Sequence, residues 1–348
     1  MAAKLSPAFR RMPVIRSQFN PPWLLRNAHL QTILPAIWRR RTRVAYQRER
    51  LELADGDFLD LDWLPAPGQC AAVLSHGLEG SSCDASICGM ARALHGNGWN
   101  VLAWNYRGCS GELNRLPRLY HSGETADLAL VVEHAARRFS SLALIGFSLG
   151  GNLVLKYLGE AHPHEAVSCA VALSAPVDLA ASARALDQRR ANRIYLNRLI
   201  ASLVRKVRAK AKYFPEHIDA SQARGIHGFE DFDGRFTAPV HGFRDAEDYW
   251  TKCSSRQFLS AITVPTLILS ARDDPFLTSD CFPFTEAEAS THLTLEAPET
   301  GGHLGFFDSL TSHRTWAERR VVEFLAGCRE PLIERACRDE PRPDMCGP

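Results

Sequence analysis

The chain has 348 residues, 45% of them apolar and 23% charged, with a formal net charge of +2. That is enough chain for one large core or two small ones, and the charge balance exerts no global pull toward nucleic acid. No apolar run reaches the roughly 18–20 residues of a membrane-spanning helix, which argues against a helical membrane protein.

Residues 1–48 carry ten Lys/Arg and no acid, with arginines where a signal peptide would need its apolar segment. Residues 1–50 therefore read as an N-terminal extension packing on the core. The ten cysteines are scattered with no CxxC pair, as expected for reduced thiols of a cytoplasmic protein. "DFLDLDW" (57–63) alternates with period two and predicts a half-buried edge strand. "CAAVLSHG", "WNVLAWNYRG", "LALIGFSLG", "VSCAVALSAP", "VPTLILSARDD" and "LTLEAPE" follow as compact apolar runs. Helical patterns lie between the early ones, at about 84–96, 122–138 and 149–160. Strands alternating with helices predict an α/β class fold, a mostly parallel sheet covered on both faces.

The alternation stops between about 178 and 260. There, apolar residues at 196, 199, 200, 203, 204, 207 and 211 repeat with helical period. This predicts a helical lid insert (178–260) over the C-terminal ends of the strands, where such sheets bind ligands. The core then comprises 51–177 and 261–328, closed by a helix at about 313–327, and 329–348 reads as a flexible tail. The insert is polarised. Residues 184–212 hold ten Lys/Arg against one acid, and 213–250 hold eight acids against three arginines. Either the basic helix docks on the acidic stretch or faces water, or its apolar stripe and cationic face rest on an anionic membrane.

"GFSLG" (146–150) ends a strand and opens a helix. Gly-x-Ser-x-Gly in that context is a nucleophile elbow, a strained turn that lifts the hydroxyl of Ser148 above the sheet edge. A serine needs a base and an orienting acid, in the chain order Ser, Asp, His for this geometry. "LILSARDDPF" ends a strand with Asp273 and Asp274, and "PETGGHLGFF" places His303 in the loop after the next strand. Asp274 is the favoured acid, because Pro275 biases it away from helix, with Asp273 as the alternative. "LSHGLEGSS" can aim the Leu78 N–H at the same point as the Leu149 N–H, forming an oxyanion hole. His76 is expected to brace that loop, and His29 and His241 read as ordinary loop or core histidines. No His/Cys/Asp cluster has metal-ligand spacing and no nucleotide motif is present, so neither a metal nor another cofactor is expected.

Together "NPPWLLRNAHLQTI" (20–33), "HGLEGSS" (76–82), "NYRGCSG" (105–111), "GFSLGGN" (146–152), "FDGRFTAPVHGF" (232–243), "DDPF" (273–276) and "GGHLGFF" (301–307) resemble the YheT-like α/β-hydrolases. These are esterase-type proteins related to the eukaryotic ABHD-type lipases, and the resemblance spans about residues 18–328. It implies the α/β-hydrolase fold and a serine hydrolase with Ser148 as nucleophile, Asp274 as acid and His303 as base. It implies small-molecule or lipid ester substrates less firmly. An acyltransferase using the same three residues, and a catalytically silent binding scaffold, stand as alternatives. A serine at the elbow disfavours the dehalogenase and epoxide-hydrolase chemistries that use an aspartate there.

Overall fold

The computed structural model describes residues 13–38, 44–160, 163–309, 311–312 and 314–339. Strands buried on both faces have no wet side, so they read as continuous apolar runs. The runs above become β4 to β9 in this way. In chain order the strands are β1 (Val14–Ile15), β2 (Gln47–Glu52), β3 (Phe58–Leu64), β4 (Cys70–Ser75), β5 (Asn100–Asn105), β6 (Ser141–Phe147), β7 (Val167–Leu173), β8 (Thr266–Leu269) and β9 (Leu293–Glu296). They form one sheet in the order β1-β9-β8-β7-β6-β4-β5-β3-β2. Neighbours from β1 to β5 in that order are parallel, and β3 and β2 add antiparallel at one end.

Successive side chains of a strand point to opposite faces. Leu144 therefore joins one apolar layer with Leu128, Val132, Leu153 and Val154, while Ile145 joins the other with Met90, Leu94, Val321 and Leu325. Those layers are supplied by α2 (Ala85–His95), α3 (Thr125–Ala136) and α4 (Leu149–Glu160), and by the last helix, Trp316–Asp339. Ahead of them, α1 (Ala28–Trp38) belongs to the N-terminal segment. The insert contributes α5 (Leu179–Gln188), α6 (Arg193–Ala211), α7 (Phe229–Phe232), α8 (Ala238–His241) and α9 (Ala246–Cys253). Its own apolar cluster joins Leu196, Ile200, Leu203 and Val207 of α6 to Phe229, Phe232, Tyr249 and Trp250. The short α10 (Phe284–Ala289) and the closing α11 (Trp316–Asp339) complete the chain.

Three expectations need correction. The 57–63 run is neither half-buried nor an edge. β3 is buried on both faces, and the charged β2 pairs along its outer edge. Arg48 and Arg50 reach across the pair to Asp62 and Asp60, each at 2.8 Å, so the alternating acids are buried as ion pairs. The N-terminal segment also supplies β1 and β2, the two edge strands of the sheet, and the boundary placed at residue 51 falls inside β2. The closing helix runs on to Asp339, past the expected end near 327. Residues 1–12 of the expected extension and 340–348 of the expected flexible tail lie outside the described residues.

Candidate active site

β6 ends at Phe147 and α4 begins at Leu149, leaving one residue to make the turn. Ser148 makes it with φ of 53°, in the left-handed region that side chains avoid. The neighbours must be small. A Cβ on Gly146 would lie 2.1 Å from the Gly150 carbonyl oxygen, and one on Gly150 would lie 2.2 Å from that of Ser75. The turn sets the Ser148 hydroxyl 2.9 Å from Nε2 of His303. Nδ1 of His303 lies 2.8 Å from Oδ2 of Asp274. Asp274 and His303 are buried. With Nδ1–H donating to the carboxylate, Nε2 is the acceptor for the serine proton. Phe276 stacks on the imidazole at 4.1 Å between ring centroids.

The two aspartates of the turn after β8 diverge. Asp274 also accepts the Phe276 N–H at 2.9 Å, whereas Asp273 accepts the Gly302 N–H at 2.9 Å and makes no contact with the imidazole among the described bonds. Burial pushes the Asp273 carboxyl up from its ordinary range.

Leu78 and Leu149 both line the cavity in front of Ser148, of about 240 Å³. The loop carrying Leu78 is tied on both sides. His76 is fully buried; Nε2 accepts the Tyr106 N–H at 3.2 Å, which leaves Nδ1–H to donate to the Gly77 carbonyl at 2.8 Å. Desolvation pushes this imidazole down to about 3, so it stays neutral and braces the loop. Glu79 follows with φ of 55°. Its N–H donates to the Tyr120 hydroxyl at 2.7 Å, and its carboxylate accepts from Tyr120, from Ser202 at 2.7 Å and from Lys206 Nζ at 2.6 Å. Ser202 and Lys206 belong to α6, so the insert helix grips the loop directly.

The loop of His303 is held by α1. Thr32 Oγ1 accepts the His303 N–H at 2.9 Å. Fully buried Gln31 accepts the Phe307 N–H at 2.8 Å and donates to its carbonyl at 2.9 Å. Sequence reasoning saw "AHLQTI" only as part of a resemblance and gave Gln31, Thr32, Glu79 and Phe276 no role. Their partners lie far along the chain, and no local pattern announces them. His29, expected in a loop or the core, lies instead in the first turn of α1, bonded to the Tyr195 hydroxyl at 3.0 Å.

The cavity wall is mainly apolar, with Leu179, Leu186, Leu199, Trp250, Phe276 and Leu277. Asp84 is one of two acids on it, with Asp233, and burial pushes its carboxyl up to about 6. Between about pH 4 and 6 the folded protein keeps a proton here that the unfolded chain releases, so this group lowers stability as pH rises through that window. Asp84→Asn is expected to raise thermal stability at pH 8, by up to about 3 kcal/mol, and to leave it nearly unchanged at pH 4. Melts of both proteins at the two pH values check this; equal shifts at both would mean that the carboxylate ionises without cost.

One group brings together donors that could hold a cation: His121, Glu124 and His241 offer atoms within 4.8 Å of one another. His121 and Glu124 are already satisfied without one. Nδ1 of His121 accepts the Gly123 N–H at 3.1 Å, so its other nitrogen carries the proton and faces Glu124 at 3.3 Å. Arg118 pairs with the same carboxylate, and both imidazoles are pushed down to about 3 by burial and by that guanidinium. A cation there would have to displace an arginine.

The alpha/beta hydrolase fold family profile matches residues 73–310. YheT of Escherichia coli (strain K12) is 37% identical over 319 residues, covering 89% of this chain and 93% of its own. Phospholipase ABHD3 of Mus musculus is 28% identical over 325 residues, covering 90% and 79%. Among solved structures, the Pyrococcus furiosus esterase Pf2001 superposes with a TM-score of 0.54 at 17% identity, covering 88% of this chain and 99% of that one, a likeness of fold.

Proposed function

The chain belongs to the alpha/beta hydrolase fold family, in its YheT-like branch, and from that premise we propose that it cleaves carboxylic esters through an acyl-enzyme formed on Ser148. The observation that carries the reading is the continuous relay from the Ser148 hydroxyl through His303 to Asp274, with links of 2.9 and 2.8 Å, facing an apolar cavity. Ser148 Oγ attacks the acyl carbon while His303 Nε2 takes its proton. Asp274 holds Nδ1–H and stabilises the imidazolium that forms. The N–H groups of Leu78 and Leu149 receive the developing oxyanion. His303 then returns the proton to the leaving alcohol, and a water activated the same way releases the acid. No metal or other cofactor enters this scheme.

The apolar lining supports an acyl group of hydrocarbon character. A smaller void of about 80 Å³ behind Leu78 and Leu149, lined by Leu203, Val207, Phe232 and Phe236, extends the same surface into the insert. The phospholipase activity named for the mouse relative points the same way. Cys70, Cys83, Cys88, Cys109, Cys253 and Cys281 are free thiols, which supports the cytoplasm as the setting. Among the described residues no helix is long and apolar enough to cross a membrane.

The test combines a fluorophosphonate probe with esters of graded acyl length. Labelling at Ser148, and hydrolysis that improves beyond acetate, are the expected results. An unlabelled, inactive protein would return the binding-scaffold reading. Transfer of the acyl group to added glycerol in preference to water would make the protein an acyltransferase.

A further inference from the structure

The outer face of α6 carries charge that the rest of the protein leaves unmatched. Its apolar stripe is committed to the core of the insert through Leu196, Ile200, Leu203 and Val207, so that stripe is not the part that meets lipid. Two of its lysines also turn inward. Lys206 binds Glu79, and Lys210 donates to the carbonyls of Asn114 and Leu116. Arg193, Arg205 and Arg208 remain outside along one side of the helix, with Arg190 just before it and Lys212 just after it. With Arg189 they line a shallow groove of about 890 Å³ whose one acid, Asp187, is occupied by the N–H groups of Phe229 and Glu230.

The acidic stretch after the helix does not neutralise this face. Asp248 pairs with Arg244 and Lys252, Asp231 with Arg235, and Glu247 with Arg184. Among the described residues, no acid lies within ion-pair distance of Arg190, Arg193, Arg205, Arg208 or Lys212.

Exposed apolar side chains lie at the ends of α6 and on the segment bonded to it. Ile194 and Tyr213, at the two ends of α6, are 67% and 72% exposed. Trp23, Leu24 and Leu30, at 77%, 55% and 38%, lie on the N-terminal segment that the His29–Tyr195 bond fastens to the start of α6. Singly exposed apolar residues need no explanation, but two at the ends of a cationic helix and three on the segment bonded to it form a group that does. Between the two segments, past Thr32, Ile33, Tyr195 and Arg198, opens the passage that leads to His303.

We propose that this surface seats the enzyme on an anionic lipid bilayer, with α6 lying in the headgroup plane and the passage opening toward the lipid. The inference rests on the ester-hydrolase reading for its consequence, that the substrates are esters resident in a membrane. A 19-residue helix is about 28 Å long, enough to spread five cations over several headgroups. Trp23, Ile194 and Tyr213 would enter the boundary between headgroups and acyl chains, as residues of interfacial helices do. A nucleic acid would satisfy the arginines but leave those side chains without a role.

Full-length protein is sedimented with phosphatidylcholine vesicles and with vesicles that also contain phosphatidylglycerol, at low and high salt. Expected is binding to the anionic vesicles, weakened by salt. Each cation near such a surface contributes about fivefold in partition. The variant Arg193→Glu/Arg208→Glu/Lys212→Glu should therefore bind at least about a hundredfold more weakly, and Trp23→Ala/Ile194→Ala should also bind less. Failure of the wild type to sediment overturns the inference. So does indifference to both sets of substitutions, or capture by duplex RNA in place of vesicles. Hydrolysis of a water-soluble ester and fluorophosphonate labelling are measured on the same proteins and should not change. Their failure in the wild type would strike the hydrolase reading, while sedimentation alone judges the docking surface.

Discussion

Ser148→Ala is expected to leave a protein that folds and melts as the wild type does but turns over esters about 10⁶-fold more slowly, the scale seen when a serine nucleophile is removed. Folding survives because the hydroxyl packs nothing together; its partner is the His303 nitrogen at 2.9 Å. The left-handed φ of 53° is no worse for alanine than for serine. Initial rates on a soluble ester, with circular dichroism and a thermal melt, make the comparison. Turnover near the wild-type rate would place the nucleophile elsewhere.

Asp274→Asn is expected to cost about 10³–10⁴ in turnover. An amide at this position can donate to Nδ1 of His303, which moves the ring proton to Nε2 and leaves nothing there to accept the serine hydrogen. Asp273→Asn should cost less than about tenfold, since its carbonyl can still accept the Gly302 N–H. Measuring kcat for both variants decides between two neighbouring carboxylates, and the opposite ranking would exchange their roles.

The features legible in the sequence are those the backbone fixes locally. The glycines around Ser148, the paired aspartates closing a strand and the glycines before His303 are each dictated within a few residues. Their order along the chain assembles them at one end of a parallel sheet. The helical period of α6 was equally readable, since its apolar positions face a single core. What escaped were partnerships between distant segments. The arginines of β2 and the acids of β3 show complementary alternation, yet only pairing brings them together and turns an apparent edge into a covered strand. Arg107, within "NYRGCSG", is buried against Asp57 and Asp127, one of them 50 residues before it. Gln31 and Thr32 brace a loop some 270 residues away, and nothing in "AHLQTI" names that address.

The grip of α6 on Glu79 has a thermodynamic consequence for motion of the insert. Were α6 to swing away as a separate flap, the Glu79 carboxylate would lose two of its three side-chain partners, and the Ser202 hydroxyl and the Lys206 ammonium would each lose that carboxylate. The left-handed turn at Glu79 would then hang on Tyr120 alone, and the proposed Leu78 donor beside it would be less firmly aimed. On the proposed mechanism, opening the insert and loosening the oxyanion hole are thus thermodynamically coupled. An enzyme working by that mechanism would do its chemistry best while α6 is seated.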